Sequence, residues 1–404
     1  MSWRDDLAVL RHPDVRTFVS ARFVAVLGSS IAPIALVFAV LDVSDSATAV
    51  GVVLAARSIP NVVFLLIGGV IADRLPRHLV LIVANTVSAL TQALAAILVL
   101  SGHAQIWQLV VIEALNGAAS AFVMPALMGI MPALVEPVEL PQANAVAGFA
   151  RSAALVGGGA VAGVIVGFTS PGVGLAVDAA TFALAVVLFA RLTLPPVERT
   201  RTSILRDLRE GWAEFVSRQW VWSVVAAFSV LNLIFVACYS TLGPVIADDT
   251  FGRAGWGAVS ACFGAGLVAG GILMIRLKPR YPVRVGMFGM LAALPVFAAL
   301  ALAPNTVTVA AAAFAVGLGF ETFGIGWETA LGQHIPLDKL SRVASYDMLG
   351  SFVTGPLGQL LVGYVTAATS AKAVQLYGGG IYLVVVLLTL LVPAVWRLQR
   401  YAAD

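Results

Sequence analysis

The chain has 404 residues, 60% of them hydrophobic and only 11% charged, with 24 Lys and Arg against 21 Asp and Glu and a net charge of +3. Soluble domains carry roughly 25% charged residues, so a water-soluble globule of this length is excluded. The mean hydropathy of +0.96 points to a chain solvated largely by lipid, and the small basic excess is read as contact with anionic lipid, with no nucleic-acid partner.

A hydrocarbon core of about 30 Å takes about 20 apolar residues at 1.5 Å rise per residue. Twelve stretches meet that length, in chain order 15 to 41, 46 to 72, 79 to 101, 106 to 131, 143 to 169, 173 to 194, 219 to 247, 256 to 277, 284 to 303, 307 to 334, 343 to 369 and 373 to 396. A spanning segment pairs its backbone polar groups internally, and no stretch alternates as a barrel strand does. All twelve are therefore predicted to be transmembrane helices, and the fold class is all-α integral membrane. The opening MSWRDDLAVLRHPDVR is charged and runs into a full-length span, so the first helix is read as its own targeting signal, with no cleavable leader.

The cations predict an orientation. Twenty of the 24 Lys and Arg fall in alternate gaps on the side of the N-terminus or in the parts of spans toward them, Arg253 and Lys372 fall on the other side, and Arg22 and Arg57 are read as intramembrane. By the positive-inside rule both termini are expected in the cytoplasm. Cys238 and Cys262 lie within the seventh and eighth spans and are read as small packed hydrophobes. His12, His78, His103 and His334 form no pair at ligand spacing, so no metal site is expected.

The longest polar break, PPVERTRTSILRDLREGWAEFVSRQW at 195 to 220, divides the spans six and six. The predicted organisation is a six-helix bundle over 1–194, a cytoplasmic linker with an interfacial helix over 195–218, and a second six-helix bundle over 219–404. In the linker Leu205, Leu208, Trp212, Phe215 and Val216 recur at helical spacing, opposite Arg206, Arg209 and Glu210. That is the pattern of a helix lying on a membrane surface, as a tether or as a regulatory element. The halves echo each other: GGVIADRL from Gly68 matches GGILMIRL from Gly270, 202 residues on, and PVELPQANA from Pro137 matches PLDKLSRVAS from Pro336. Duplicated halves about an axis along the membrane normal are the plan of a rocking transporter with a midplane site between the halves.

Where the second span ends, Gly69, Asp73, Arg74 and Arg77 read GxxxDRxPR. The segment resembles GxxxDRxGRR, the signature of the major facilitator superfamily, with Pro76 in place of the second glycine and His78 in place of the last basic residue. As a gate, Gly69 permits close helix approach and Asp73 pairs with basic groups or caps a facing helix in one state only; as plain interfacial anchors, the same charges only fix depth. ARFVAVLG in the first span, MPALVEPVELPQANA after the fourth and WETALGQHIPLDKLSRVASYD after the tenth are similar to the drug-efflux branch, which includes macrolide efflux proteins and the enterobactin exporter. The resemblance implies two six-helix pseudo-repeats of the major facilitator fold and proton-driven antiport of a bulky amphiphilic compound out of a bacterial cell, across its inner membrane. It also implies a monomer that uses the proton gradient and no cofactor. Two places depart from the branch: Glu113 stands four residues before Gly117 where many relatives carry arginine, and Asn85 stands where an acid is expected.

An ionisable group in hydrocarbon costs at least ~2.5 to 3.5 kcal/mol, so each one is a functional candidate. Arg22, Arg57, Glu113, Asp178, Glu321 and Glu328 pass that filter. Counting depth at 1.5 Å per residue matches Arg57 with Glu113 and Arg22 with Glu321. The resemblance places the first and fourth helices of each half along the substrate path, which puts Arg22, Glu113, Glu321 and Glu328 there. Glu113 or Glu321 then trades a proton as the cavity opens and closes, or each pair is a permanent packing contact. Glu328 is read as a gate or interface residue and Asp178 as a structural hydrogen-bonding group. Asn116, Asn232, Tyr239, Phe320, Phe323 and Trp327 are the pocket candidates, and Asn232 is the amide most in need of a partner inside the bundle.

No GxxxxGK precedes Lys278, Lys339 or Lys372, and neither GxSxG nor HExxH occurs, which argues against an ATP-driven pump and a hydrolytic enzyme. A drug exporter, an exporter of a siderophore or another endogenous metabolite, an uptake system and a non-transporting receptor or scaffold on the same fold remain.

Overall fold

Lipid offers a backbone no hydrogen-bond partners, so each spanning segment closes its own ladder. Every regular element among the described residues is helical. The structure is a computed structural model that describes residues 7–128, 130–136, 139–192 and 204–400, with the side chains of 7–8, 65–74, 128, 141, 204–210, 337–338 and 341–342 outside that description. Among the described residues twelve helices are long and apolar enough to cross a membrane. They are α1 (Pro13–Ser44), α2 (Ala47–Arg74), α3 (Arg77–Leu100), α4 (Ile106–Leu127), α5 (Leu140–Phe168) and α6 (Pro171–Phe189). After a linker helix, Ile204–Ser217, come α7 (Gln219–Asp249), α8 (Arg253–Leu277), α9 (Pro282–Leu302), α10 (Thr306–His334), α11 (Val343–Ala368) and α12 (Ala371–Leu391).

Local chemistry sets the ends. Pro13, Pro171 and Pro282 open α1, α6 and α9, where a missing N–H costs nothing. The Asn305 side chain accepts from the Thr308 N–H and the Ser370 hydroxyl from the Ala373 N–H, each at 3.1 Å, and so start α10 and α12. The apolar run predicts that α12 reaches 396, but it stops at Leu391. Pro393 holds Val392 extended at ψ 115°, and a separate turn, Pro393–Trp396, follows. Inside α7 the segment Val236–Thr241 is a π-helix, and Gln375 of α12 donates to the Cys238 carbonyl at 2.7 Å. Cys238 is buried, Cys262 is partly buried, and both are free thiols.

Contacts divide the chain into two units, Met1–Thr200 and Arg201–Asp404. In the first, α1 packs on α5 and α6, α2 on α4, and α3 on α4 and α6. In the second, α7 packs on α11 and α12, α8 on α10, and α9 on α10 and α12, the same pairings helix for helix. The tightest of these seams repeats in detail. A Cβ on Gly117 of α4 would lie 1.9 Å from the Arg57 carbonyl oxygen of α2, and one on Gly317 of α10 would lie 2.0 Å from the Phe263 carbonyl oxygen of α8. Gly317 follows Gly117 by 200 residues and Phe263 follows Arg57 by 206, so the packing repeat departs from the 202-residue string match. The stretch between these two positions is shorter in the second unit, and one constant offset cannot align both helices.

The linker helix packs onto the second unit. Phe215 is buried, and the rings of Trp212 and Phe215 lie 5.4 and 5.9 Å from that of Tyr346. Trp212 and Val216 stay exposed, so the apolar stripe expected to lie on a membrane surface is divided between protein and surroundings.

Candidate functional site

Glu113 lies four residues before Gly117, one turn away on the same face of α4, so the glycine that seats α4 on α2 also turns Glu113 toward Arg57. Arg57 Nη1 stands 3.7 Å from Glu113 Oε2, an ion-pair distance too long for a hydrogen bond. The other carboxylate oxygen accepts from Gln92 Nε2 of α3 at 2.9 Å. One turn on, Asn116 Nδ2 donates to Thr91 Oγ1 at 3.1 Å, and Asn61 of α2 donates to Ser120 Oγ of α4 at 2.7 Å.

Asp178 of α6 completes this group. Its charged neighbours are Arg57 and Glu113, and Gly28 of α1 is seated against it, since a Cβ there would lie 2.7 Å from Asp178 Oδ1. Glu113, Asp178, Gln92 and Asn116 are all fully buried, at 0% exposure. Neither Asp178 oxygen accepts a hydrogen bond, nor does Glu113 Oε2. The structural hydrogen-bonding role expected of Asp178 therefore finds no partner among the described residues. Arg57 thus stands at ion-pair distance from one buried carboxylate and is the charged neighbour of a second.

The second unit has a different interior. Asn232 of α7 donates to the Ser351 carbonyl of α11 at 2.8 Å, meeting its need for a partner. Trp327 Nε1 donates to Asp347 Oδ2 at 2.8 Å, and Ser351 Oγ donates to Asp347 Oδ1 at 3.1 Å. Two groups of rings lie in the same unit, one of them containing Trp327. Phe228 stacks on Phe323 at 4.2 Å, Trp220 meets Trp327 at 5.3 Å, and Phe235 contacts Tyr239 at 4.9 Å and Phe320 at 4.6 Å. Phe323 and Trp327 therefore belong to one ring group with Phe228 and Trp220, and Tyr239 and Phe320 to another with Phe235 and Phe263 of α8.

The remaining candidates are dispersed. Arg22 is partly buried in α1 with Arg151 of α5 as its charged neighbour, and Glu321 is partly buried in α10 against Gly270 of α8. Arg22 and Glu321 belong to different units, so neither unit contains the pair that depth counting matched. Glu328 is exposed. Of the gate motif, Gly69, Asp73 and Arg74 lie outside the described residues, and Arg77 opens α3 partly buried. Gln92 and Asp347 were not among the candidates. Gln92 lies on α3, off the helices that the resemblance places along the substrate path, and Asp347 lies near the start of a span.

A second charged feature lies at the end where each bundle starts. In the first unit His12 Nε2 stands 3.3 Å from Glu139 Oε1. In the second, Arg218 follows His12 by 206 residues and Lys339 follows Glu139 by 200, so both corresponding places are cationic. The linker helix supplies the anion: Glu214 accepts from Lys339 Nζ at 2.8 Å and from Arg218 Nη2 at 2.6 Å, while Arg218 Nη1 donates to the His334 carbonyl at 2.7 Å. Lys339 and Arg218 hold the Glu214 carboxyl below the usual carboxylate range.

Comparison with known proteins bears on the family and the fold. The sequence model of the Major Facilitator Superfamily matches residues 18–346. The chain is 23% identical to an enterobactin exporter, EntS, of Escherichia coli O1:K1 / APEC over 95% of both chains. It is 21% identical to macrolide efflux protein A of Streptococcus pyogenes over 64% of this chain and 65% of that protein. Among solved structures, the nucleoside transporter NupG superposes with a TM-score of 0.72 at 16% identity, covering 94% of this chain and 99% of that one. A bacterial homologue of the human lysosomal transporter Spinster, inward-facing and unoccupied, gives 0.69 at 14% identity over the full length of both. At these identities the solved structures show a shared fold.

Proposed function

The chain belongs to the Major Facilitator Superfamily, a family of multi-pass membrane transporters, and from that premise we propose that it is a proton-coupled exporter of bulky amphiphilic compounds. In this reading it is an antiporter that works by alternating access as a monomer in a bacterial inner membrane, with both termini in the cytoplasm. The proton gradient is its energy source and no cofactor takes part.

The observation that carries the coupling is the buried group of Arg57, Glu113 and Asp178. An uncompensated buried charge is expensive, and one guanidinium neutralises one carboxylate. The second carboxylate is neutral only with a proton, which makes the group a place where one proton is held when water is excluded and released when water is admitted. The two ring groups of the second unit supply mostly apolar surfaces with a few polar groups, such as Asn232 and Asp347, suited to an amphiphilic passenger. Likeness to two exporters supports the outward direction. Export of a siderophore or another endogenous metabolite is the second reading, favoured by the likeness to the enterobactin exporter over nearly the whole chain.

The test is substrate efflux and proton flux in proteoliposomes, with wild type compared to Glu113→Gln and Asp178→Asn across a panel of macrolides, dyes and siderophores. Loss of proton-driven efflux with downhill exchange retained is expected in at least one variant. Wild-type coupling in both removes the assignment, and a wild type that moves no compound favours the receptor or scaffold.

A further inference from the structure

We propose that the basic end of α9 and α12 is a binding site for an anionic glycerophospholipid, with an acyl chain in an apolar groove and the phosphate on Arg284 and Arg397. The inference rests on the membrane-spanning fold and is independent of what the chain transports.

A groove of about 550 Å³ opens between α9 and the end of α12, lined by Phe288, Leu387, Leu390, Leu391, Trp396 and Arg397. Its size is within the range of small-molecule sites, and arginine is the one charged residue on its wall. Leu387, Leu391 and Phe288 are all exposed, which places the groove on the outer face of this unit where acyl chains lie.

The mouth is built in layers. Phe288 meets Trp396 edge to face at 6.1 Å, and the Arg284 guanidinium lies 4.7 Å from the centre of the Trp396 ring and 4.0 Å from that of Tyr281. A guanidinium lying over aromatic rings still has N–H groups to offer a planar or tetrahedral anion. The segment after α12 is tied down beside it. The Arg400 N–H donates to the Arg280 carbonyl at 2.8 Å, and Gln399 donates to the Tyr281 hydroxyl at 3.2 Å.

Charge complementarity selects the headgroup. Residues 276–284 and 392–400 hold Arg276, Lys278, Arg280, Arg284, Arg397 and Arg400 and no acid. The positive-inside rule accounts for cations on this side, but it does not call for one stacked on a tryptophan at the rim of an apolar groove. Basic pockets between transmembrane helices at the cytoplasmic side are places where anionic headgroups bind.

The full chain, reconstituted in vesicles of equal parts phosphatidylcholine and phosphatidylglycerol and then extracted into mild detergent, is examined by native mass spectrometry. Wild type is expected to retain phosphatidylglycerol in preference to phosphatidylcholine. Arg284→Gln with Arg397→Gln lowers that retention about 30-fold, at about 1 kcal/mol per cation. Leu387→Trp, which fills the groove and leaves every cation in place, lowers it as well and stands as a second variant should the double one fold poorly. Equal retention of the two lipids by wild type, unchanged retention in the variants, or a second copy of the chain seated in place of lipid overturns the proposal.

Discussion

The seam between α2 and α4 and the seam between α8 and α10 are one piece of packing used twice, with opposite chemistry. Each sets a glycine, Gly117 or Gly317, on a backbone carbonyl of the facing helix. In the first unit that carbonyl belongs to Arg57, and Glu113 sits one turn before the glycine. At the corresponding places of the second unit stand Phe263 and Ala313, and the space fills with rings from Phe235, Tyr239 and Phe320. The helices close together in both cases because glycine removes a side chain from the interface, so the ion pair is not needed to make the seam. A buried pair the scaffold does not require is a candidate for function, and its absence from the twin seam is the control.

The sharpest way to break this comparison is to make the first seam like the second. Glu113→Ala alone leaves Arg57 with no opposite charge at ion-pair distance and is expected to cost about 3–5 kcal/mol, seen as a large fall in the thermal unfolding midpoint. Adding Arg57→Phe replaces the pair by the residue types of the second unit, and apolar replacement of a whole buried pair is neutral or stabilising in many proteins. The double variant is expected to recover most of the lost stability while proton-coupled flux stays absent. A double variant less stable than the single one means the pair is part of the seam after all.

A medium effect tests the shared packing itself. Gly117→Ala and Gly317→Ala each force a methyl into a backbone carbonyl and are expected to cost about 1–3 kcal/mol by overpacking, in similar measure. Gly324→Ala, whose methyl would meet nothing within 4 Å, is the control and should be neutral. Transport separates the pair: Gly117→Ala displaces α4 against Arg57 and lowers coupled proton flux, whereas Gly317→Ala leaves the ratio of protons to substrate unchanged. Equal loss of coupling in both assigns the effect to general loosening.

Much of this was open to reading from residues alone, for identifiable reasons. Twelve runs of about 20 apolar residues can only be spans, and their order and number follow from length and hydropathy. The end of α12 does not, because hydropathy is blind to the extended backbone that Pro393 imposes on Val392. Depth counting paired Arg57 with Glu113 because the rise per residue is constant in a helix. The same count also matched Arg22 with Glu321, which lie in different units, so the packing inside either unit does not bear on that match. Gln92 escaped because the amides weighed were those on helices expected along the substrate path, and it lies on α3; that Asp178 lacks a hydrogen-bond partner is visible only once α1 and α3 are packed on α6. The repeat register hid behind unequal loops, and it emerges from two glycines on two carbonyls.

The smallest predicted effect compares the two clasps. His12 and Glu139 pair directly, whereas Lys339 stands where Glu139 would, and Glu214 from the linker restores the missing anion. Because the folded carboxyl of Glu214 is held below its ordinary range, its contribution is fully present above the unfolded value of about 4.3 and is lost as pH falls through the lower folded value. Lys339 is 44% exposed, so solvent screening limits the clasp to about 0–1 kcal/mol. Glu214→Gln is therefore expected to lower the unfolding midpoint slightly at pH 7, and the gap from wild type should close as the medium becomes more acidic than the folded carboxyl. Lys339→Glu combined with Glu214→Gln gives the second unit the direct cation-to-acid contact of the first, and its midpoint should return toward wild type. If it instead falls further, Glu214 is held by the packing of Phe215 on Tyr346, and the linker helix is docked by its rings with the charges following.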